Sequence, residues 1–183
     1  MHKSNILIIG STGNLGKKLL NFCHKFNISI FGISCFKSLK KLNYQSHKYG
    51  IKNCFNLSNP VSKDSFISFI SNNKFKIVYF LDYGSFSLYY LNILNKKNKN
   101  CIFAIANKEM IIAGGNLLSS NILNQSNFLL PLDSEHFSLY NSKFCNSNID
   151  KIYITASGGP FYFNKNVNLN NVKYKEVLNH PKW

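Results

Sequence analysis

An α/β fold, built on a mainly parallel sheet with helices on both faces, is predicted by three features of this sequence. Short apolar runs alternate with helix-like stretches at intervals of roughly 15–25 residues, the rhythm of βαβ units. The first run passes into its helix through a glycine-bearing turn, Gly10-Ser11-Thr12-Gly13-Asn14-Leu15-Gly16. The chain has 183 residues, 45% of them hydrophobic, with only 10 Gly and 4 Pro, so it can bury a core and is neither collagen-like nor disordered.

The expected strands are Asn5–Ile9, Ile28–Ile33, Lys76–Leu81 and Cys101–Ala106, each short and rich in Ile, Phe, Val or Tyr, as strands buried on both faces require. A weaker strand is expected near Cys54–Leu57. Helices are expected over Asn14–Phe26, Ser38–Gln45, Val61–Ser71 and Ser85–Leu94. The third is announced by Asn59-Pro60, a capping residue followed by a first-turn proline. Beyond them lie a helix at Leu117–Asn124, a strand near Phe128–Leu132, a helix from Ser134 and a strand at Lys151–Ala156. The lysine-rich Asn95–Asn100 is read as a solvated turn. Residues 1–127 form the first expected domain and residues 128–183 the start of a second.

With 22 basic and 7 acidic residues the formal charge is +15. That suits an anionic partner, yet the abundance of Asn, Lys, Ile, Phe and Tyr gives the same excess through AT-rich codon usage, with no partner at all. No zinc-finger, homeodomain or RRM pattern supports nucleic acid, and none is expected to bind. The 5 cysteines are scattered and form no CxxC pair, so they read as reduced thiols. No apolar run approaches the roughly 18 residues of a membrane span, and Met1–Asn5 leads straight into a strand, so a cytoplasmic protein without membrane partners is expected.

A glycine turn between strand and helix lets the backbone approach a pyrophosphate while helix N-terminal amides face its charge. The same turn also serves as a tight connection with no ligand. An NAD site would place an acid at the end of the second strand, but the first acidic residue is Asp64. Ser34, Lys37, Ser38, Lys40 and Lys41 stand there instead, which points to NADP or to a solvated helix face.

Of the seven acids, three fall in two short motifs: Glu109 in Ala106-Asn107-Lys108-Glu109, and Asp133 and Glu135 in Leu130-Pro131-Leu132-Asp133-Ser134-Glu135-His136. Two carboxylates either side of a serine suit a hard cation such as Mg²⁺ or Mn²⁺. They equally suit a helix N-terminus, with Asp133 as the cap and Glu135 in the first turn. Thr155-Ala156-Ser157-Gly158-Gly159-Pro160-Phe161 is a glycine turn whose serine and amides suit a phosphate.

Taken together, Ile9–Gly16, Ala106–Glu109, Leu130–His136, Thr155–Phe161 and His180–Trp183 resemble, in order and spacing, the 1-deoxy-D-xylulose 5-phosphate reductoisomerase family. The resemblance covers nearly the whole chain and is most specific in LPLDSEH, TASGGPF and HPKW. It implies an NADPH-binding Rossmann-like domain followed by the truncated start of an α+β catalytic domain. It also implies NADPH- and metal-dependent rearrangement and reduction to 2-C-methyl-D-erythritol 4-phosphate in non-mevalonate isoprenoid biosynthesis, and a homodimer in the full-length family.

Under that resemblance Gly10, Ser11, Thr12, Gly13, Asn14, Leu15 and Lys37 bind NADPH, and Asn107 and Glu109 place its nicotinamide half. Asp133 and Glu135 hold Mg²⁺ or Mn²⁺, Lys108 and Ser134 contact a phosphorylated sugar, Ser157 binds its phosphate, and His180 and Trp183 belong to a flap. The sequence departs from the family at Phe36-Lys37-Ser38, which keeps only the basic residue of a glycine-basic-asparagine cluster. It departs again at Asp82-Tyr83-Gly84-Ser85-Phe86, where the family has a Gly-Ala-rich stretch, and at Tyr162, where it has arginine. The family's third metal-binding glutamate and much of its phosphate pocket are expected beyond Trp183, so weak or no turnover is expected of these residues alone. A non-catalytic NADP(H)-binding module is the alternative.

Overall fold

Four consecutive buried residues, Ile6–Ile9, form strand β1 at the centre of the sheet. The computed structural model describes residues 5–123, 126–141, 150–153, 159–163 and 166–179. After β1 come α1 (Asn14–Lys25), β2 (Gly32–Cys35), α2 (Leu39–Tyr49), β3 (Asn53–Asn56), α3 (Pro60–Asn72) and β4 (Ile77–Phe80). Then follow α4 (Ser87–Lys97), β5 (Ile102–Ile105), α5 (Lys108–Leu123), β6 (Phe128–Pro131), α6 (Ser134–Asn141) and α7 (Tyr174–Leu178). The sheet order is β3-β2-β1-β4-β5-β6, with every neighbouring pair parallel. This is the Rossmann-like α/β architecture that the sequence predicts.

Alternation along the strands divides the core between two faces. Ile6, Ile8, Ile33 and Cys35 pack with Leu20 of α1 and Leu42 of α2. Leu7, Ile9, Val78, Phe80, Phe103 and Ile105 pack with Phe66 and Ile70 of α3, Leu91 and Leu94 of α4 and Met110 of α5. The second face carries the larger aromatic load: the Phe66 ring meets Tyr90 edge-on at 5.1 Å and Phe55 at 5.3 Å. Cys23, Cys35, Cys54 and Cys101 are free, and burial pushes the Cys101 thiol up to about 12, so these are packing groups.

Several boundaries differ from the sequence reading for identifiable reasons. The second strand is Gly32–Cys35, because Ile28 donates its amide to the Cys23 carbonyl at the end of α1 and only Phe31 begins to pair with Ile6. Gly32 then lies where a Cβ would come within 3.1 Å of the Phe69 ring. A hydrophobic run thus packs beside the helix, while a glycine and a serine enter the sheet. α2 runs on to Tyr49 and ends at Gly50, whose φ of 65° is the left-handed stop glycine favours. α5 starts far earlier than expected because the Asn107 side chain accepts from the Met110 amide at 3.2 Å. A break at Gly115 (φ 45°, ψ −135°) interrupts its periodicity. The short helix α7 was not anticipated; the Glu176 carboxylate accepts from the Lys173 amide at 2.7 Å ahead of it.

Asn95–Asn100 is a solvated turn only in part: Lys96, Lys97, Lys99 and Asn100 are exposed, but its first three residues belong to α4 and two asparagines turn inward. Asn95 and Asn98 are buried; Asn98 accepts from the Phe75 amide at 2.6 Å, and the Asn127 amide donates to the Asn95 side chain at 2.8 Å and to the Asn98 carbonyl at 2.9 Å. Polar side chains here satisfy backbone groups that the packed strand ends would otherwise leave unpaired. Of the expected strand Lys151–Ala156, residues 151–153 have no strand structure and the rest lies outside the described residues.

The chain divides into two compact units, Met1–Ser142 and Lys143–Trp183. β6, at the start of the second expected domain, is hydrogen-bonded to β5 within the first unit. In the second unit α7 and two short 3-10 turns, Gly159–Phe161 and Leu169–Asn171, are formed among the described residues, and Tyr153, Phe163 and Tyr174 are exposed. No helix among the described residues is long and apolar enough to cross a membrane.

Candidate functional site

Sheet order reverses between β2-β1 and β4-β5, so a crevice opens at the carboxyl ends of β1 and β4, the place where doubly wound sheets take ligands. The turn from β1 to α1 sits there. Gly10 has φ 85°, and a Cβ on it would lie 2.5 Å from the Asp82 backbone nitrogen; a Cβ on Gly16 would overlap the Ser11 backbone. These two glycines are therefore required by close approach of chain to chain. Gly13 meets nothing closer than 3.5 Å, and the turn is open on its side.

Ser11 does a different task from the one its place in the motif suggests. Its amide donates to the Ser34 carbonyl at 2.9 Å, its hydroxyl to Gln45 at 2.8 Å, and its own carbonyl accepts from the Gln45 amide at 2.9 Å. Ser11 and Gln45 are both buried, so together they lock the turn to β2 and α2. Thr12, Gly13, Asn14 and Leu15 form the half-buried to exposed rim. α1 carries no side-chain cap, so its first-turn amides at Asn14, Leu15 and Gly16 face out of the helix with its positive dipole end. A turn that a side chain would fill, ahead of an uncapped helix, fits a diphosphate.

Lys37 is exposed two residues beyond β2, beside the N-terminus of α2 at Leu39. On the other side of the crevice Asn107 follows β5, buried, donating to the Gly84 carbonyl at 2.6 Å while capping Met110. Lys108 and Glu109, next in the chain, are exposed.

Asp133 is indeed a helix cap: its Oδ1 accepts from the His136 amide at 3.3 Å at the start of α6. The same oxygen lies 2.5 Å from His136 Nδ1, and Asp133 Oδ2 is buried without a hydrogen-bond partner among the described residues. The cap therefore uses one oxygen and leaves the other with unmet capacity, which is compatible with a cation. Glu135 is exposed and accepts from the Ser134 hydroxyl at 2.7 Å. That bond first, then its own amide, the Asp133 carboxyl and the Lys108 ammonium hold its carboxyl below the usual range. Lys108, Asp133, Ser134 and Glu135 are thus neighbours at the carboxyl ends of β5 and β6. Among the described residues no three potential metal ligands cluster.

Ser157, His180 and Trp183 lie outside the described residues. Sequence reasoning missed Gln45 and a largely buried carboxyl, Asp82. Asp82 Oδ2 accepts from the Ser87 hydroxyl at 2.5 Å and its Oδ1 is buried without a partner. Burial, chiefly, raises its carboxyl above the ordinary range; Ser87 and Asn107 oppose the shift and Glu109 adds to it. The available signal was its position, an acid at the end of a central strand in a chain with few acids.

Residues 129–183 match the model of the 1-deoxy-D-xylulose 5-phosphate reductoisomerase C-terminal domain. The reductoisomerase of Pelagibacter ubique is 34% identical over 201 residues, covering 97% of this chain and 51% of that protein. That of Malacoplasma penetrans is 32% identical over 186 residues, covering 99% of this chain and 48% of that protein. Among solved structures, the Zymomonas mobilis reductoisomerase in complex with NADPH superimposes with a TM-score of 0.74 at 20% identity, over 89% of this chain and 48% of that one. A reductoisomerase in complex with NADPH, fosmidomycin and magnesium gives 0.70 at 22% identity, over 98% of this chain and 52% of that one. At these identities the structures show a shared fold. The chain spans about half the length of the curated relatives it matches, and the resemblance read from its motifs extends along nearly all of it.

Proposed function

We propose that this chain supplies the NADPH-binding and metal-carboxylate half of a 1-deoxy-D-xylulose 5-phosphate reductoisomerase. The observation that carries the reading is the gathering, at the carboxyl ends of the strands of one sheet, of the β1–α1 glycine turn, Asn107, Lys108 and the Asp133–Glu135 pair. It is supported by similarity to proteins of that name over 97–99% of the chain.

In this reading the amides around Gly13, Asn14 and Leu15 bind the diphosphate, and Lys37 meets the 2′-phosphate at the end of β2. Asn107, held by Gly84 and Met110, presents a fixed edge to the nicotinamide half, with Glu109 beside it. Asp133 and Glu135 hold Mg²⁺ or Mn²⁺, which when bound supplies Lewis-acid polarisation of substrate oxygens. His136 fixes the Asp133 carboxyl, and Ser134 and Lys108 orient Glu135 and the phosphorylated sugar. Ser157 takes the phosphate, and His180 and Trp183 exclude water as part of a flap. The rearranged aldehyde is reduced to 2-C-methyl-D-erythritol 4-phosphate, a step of non-mevalonate isoprenoid synthesis. A homodimer and a cytoplasmic location belong to the same reading.

Titration of the 183-residue chain tests it directly. NADPH is expected to bind more tightly than NADH, and Mn²⁺ to bind weakly, with Mn²⁺ binding lost in the Asp133→Asn, Glu135→Gln double variant. Equal affinity for the two dinucleotides at low salt overturns the role of Lys37, and undiminished Mn²⁺ binding by the double variant leaves the pair as a helix cap alone.

A further inference from the structure

The two halves of the crevice differ in charge, and the more unusual half is the one beyond β4. A dinucleotide bound across the switch point would set its diphosphate on the β1–α1 turn and its 2′-phosphate ribose towards the end of β2, so the nicotinamide would fall towards the ends of β4 and β5. There the chain places Asp82, its backbone pressed against Gly10, with Glu109 close enough to act on it.

Among the described residues, every element packed around the Asp82 carboxyl contributes a neutral or an acidic group. α4 gives the Ser87 hydroxyl, which donates to Oδ2, and the Tyr90 phenol; the segment after β5 gives the Asn107 amide and the Glu109 carboxylate; the β1–α1 turn gives only backbone. Oδ1 has no hydrogen-bond donor although it is buried. A carboxylate left so incompletely neutralised has no countercharge to cancel its field, which therefore extends to neighbouring groups at the ends of β4 and β5.

Oxidised and reduced dinucleotides carry the same phosphates and differ by one positive charge on the nicotinamide ring. We propose that Asp82 sets the redox preference of the cofactor site, its carboxylate favouring the cationic, oxidised dinucleotide over the neutral, reduced one. The proposal rests on the dinucleotide-binding reading above and adds a determinant that the glycine turn cannot supply, since the turn meets only the part common to both forms.

The test is the ratio of NADP⁺ to NADPH dissociation constants, measured by titration of the full chain, with Asp82→Asn compared to the parent. Asparagine keeps an acceptor for Ser87 and removes the charge. At pH 8 the variant is expected to shift the ratio towards NADPH by about three- to tenfold, the scale of one charge acting across several ångströms of partly solvated protein. The parent's own ratio is expected to move the same way as pH is lowered through the titration of Asp82. This second series needs no variant and decides the matter if Asp82→Asn fails a thermal-melt check of folding. Both forms binding with a ratio that neither the substitution nor pH alters overturns the role of Asp82 and leaves the dinucleotide site intact. Failure of the parent to bind either form overturns the site and the proposal together.

Discussion

The β2 side of the crevice and its β4–β5 side are built on opposite electrostatic plans. Up to Asp64 the chain has no acid at all, and the turn and the start of α2 present backbone amides, Lys37, Lys40 and Lys41, while Ser34 is buried within β2. Beyond β4 come Asp82, Asn107 and Glu109, then Asp133 and Glu135 after β6. One side is basic and rich in free amides, the other acidic. A net charge of +15 conceals this division, because excess lysine on exposed helix faces swamps a few acids collected at one edge.

The two sides touch at Gly10 and Asp82, and the largest expected effect comes from forcing them apart. Gly10→Ala places a methyl group against the backbone of residues 81 and 82 at a φ of 85°, combining overlap with left-handed strain. A loss of about 3 kcal/mol in urea unfolding is expected, together with loss of dinucleotide binding. A variant with parental stability shows that the contact between the sides relaxes easily.

A smaller effect is expected at the basic end alone. Lys37→Ala removes an exposed charge and should weaken NADPH binding by about fivefold while leaving NADH unchanged, and added salt should erase the difference. Equal weakening of both dinucleotides would place Lys37 on the diphosphate and not on the 2′-phosphate.

The smallest effect is expected at the acidic end and appears in stability. Burial raises the Asp82 carboxyl, so in the pH window between the ordinary carboxylate range and its raised value the folded chain keeps a proton that the unfolded chain has released. Stability should fall as pH rises through that window, and Asp82→Asn should flatten the slope. Denaturation midpoints measured across the window for both chains check the sign; a slope that survives the substitution belongs to another group.

Much of this was legible in the sequence. The order of strands and helices followed from apolar runs, the Asn59-Pro60 helix start from capping chemistry, and the glycine turn and the Asp133–Glu135 pair from motif spacing. Helix α5 was hidden because Asn107 caps it from a residue already assigned a binding role and Gly115 breaks its periodicity. β2 was shifted because Ile28–Phe31 has strand composition, yet Asn27, at φ 53°, and the bond from Ile28 to Cys23 hold its start against α1.

The sequence by itself determined which residue types stood at the strand ends: glycines, lysines and acids have short-range requirements that spacing alone reveals. Only the tertiary structure decided which of them meet. Ser11 turned inward because Gln45, 34 residues away, reaches it with both a donor and an acceptor. Asn95, Asn98 and Asn127 became a buried network because packing left strand-end backbone groups without water. Asp82 acquired its raised carboxyl from burial, to which Glu109 adds, while Ser87 and Asn107, arriving from separate connections, oppose the rise. Desolvation and partner geometry are properties of assembled surfaces, and no local pattern of residues encodes them.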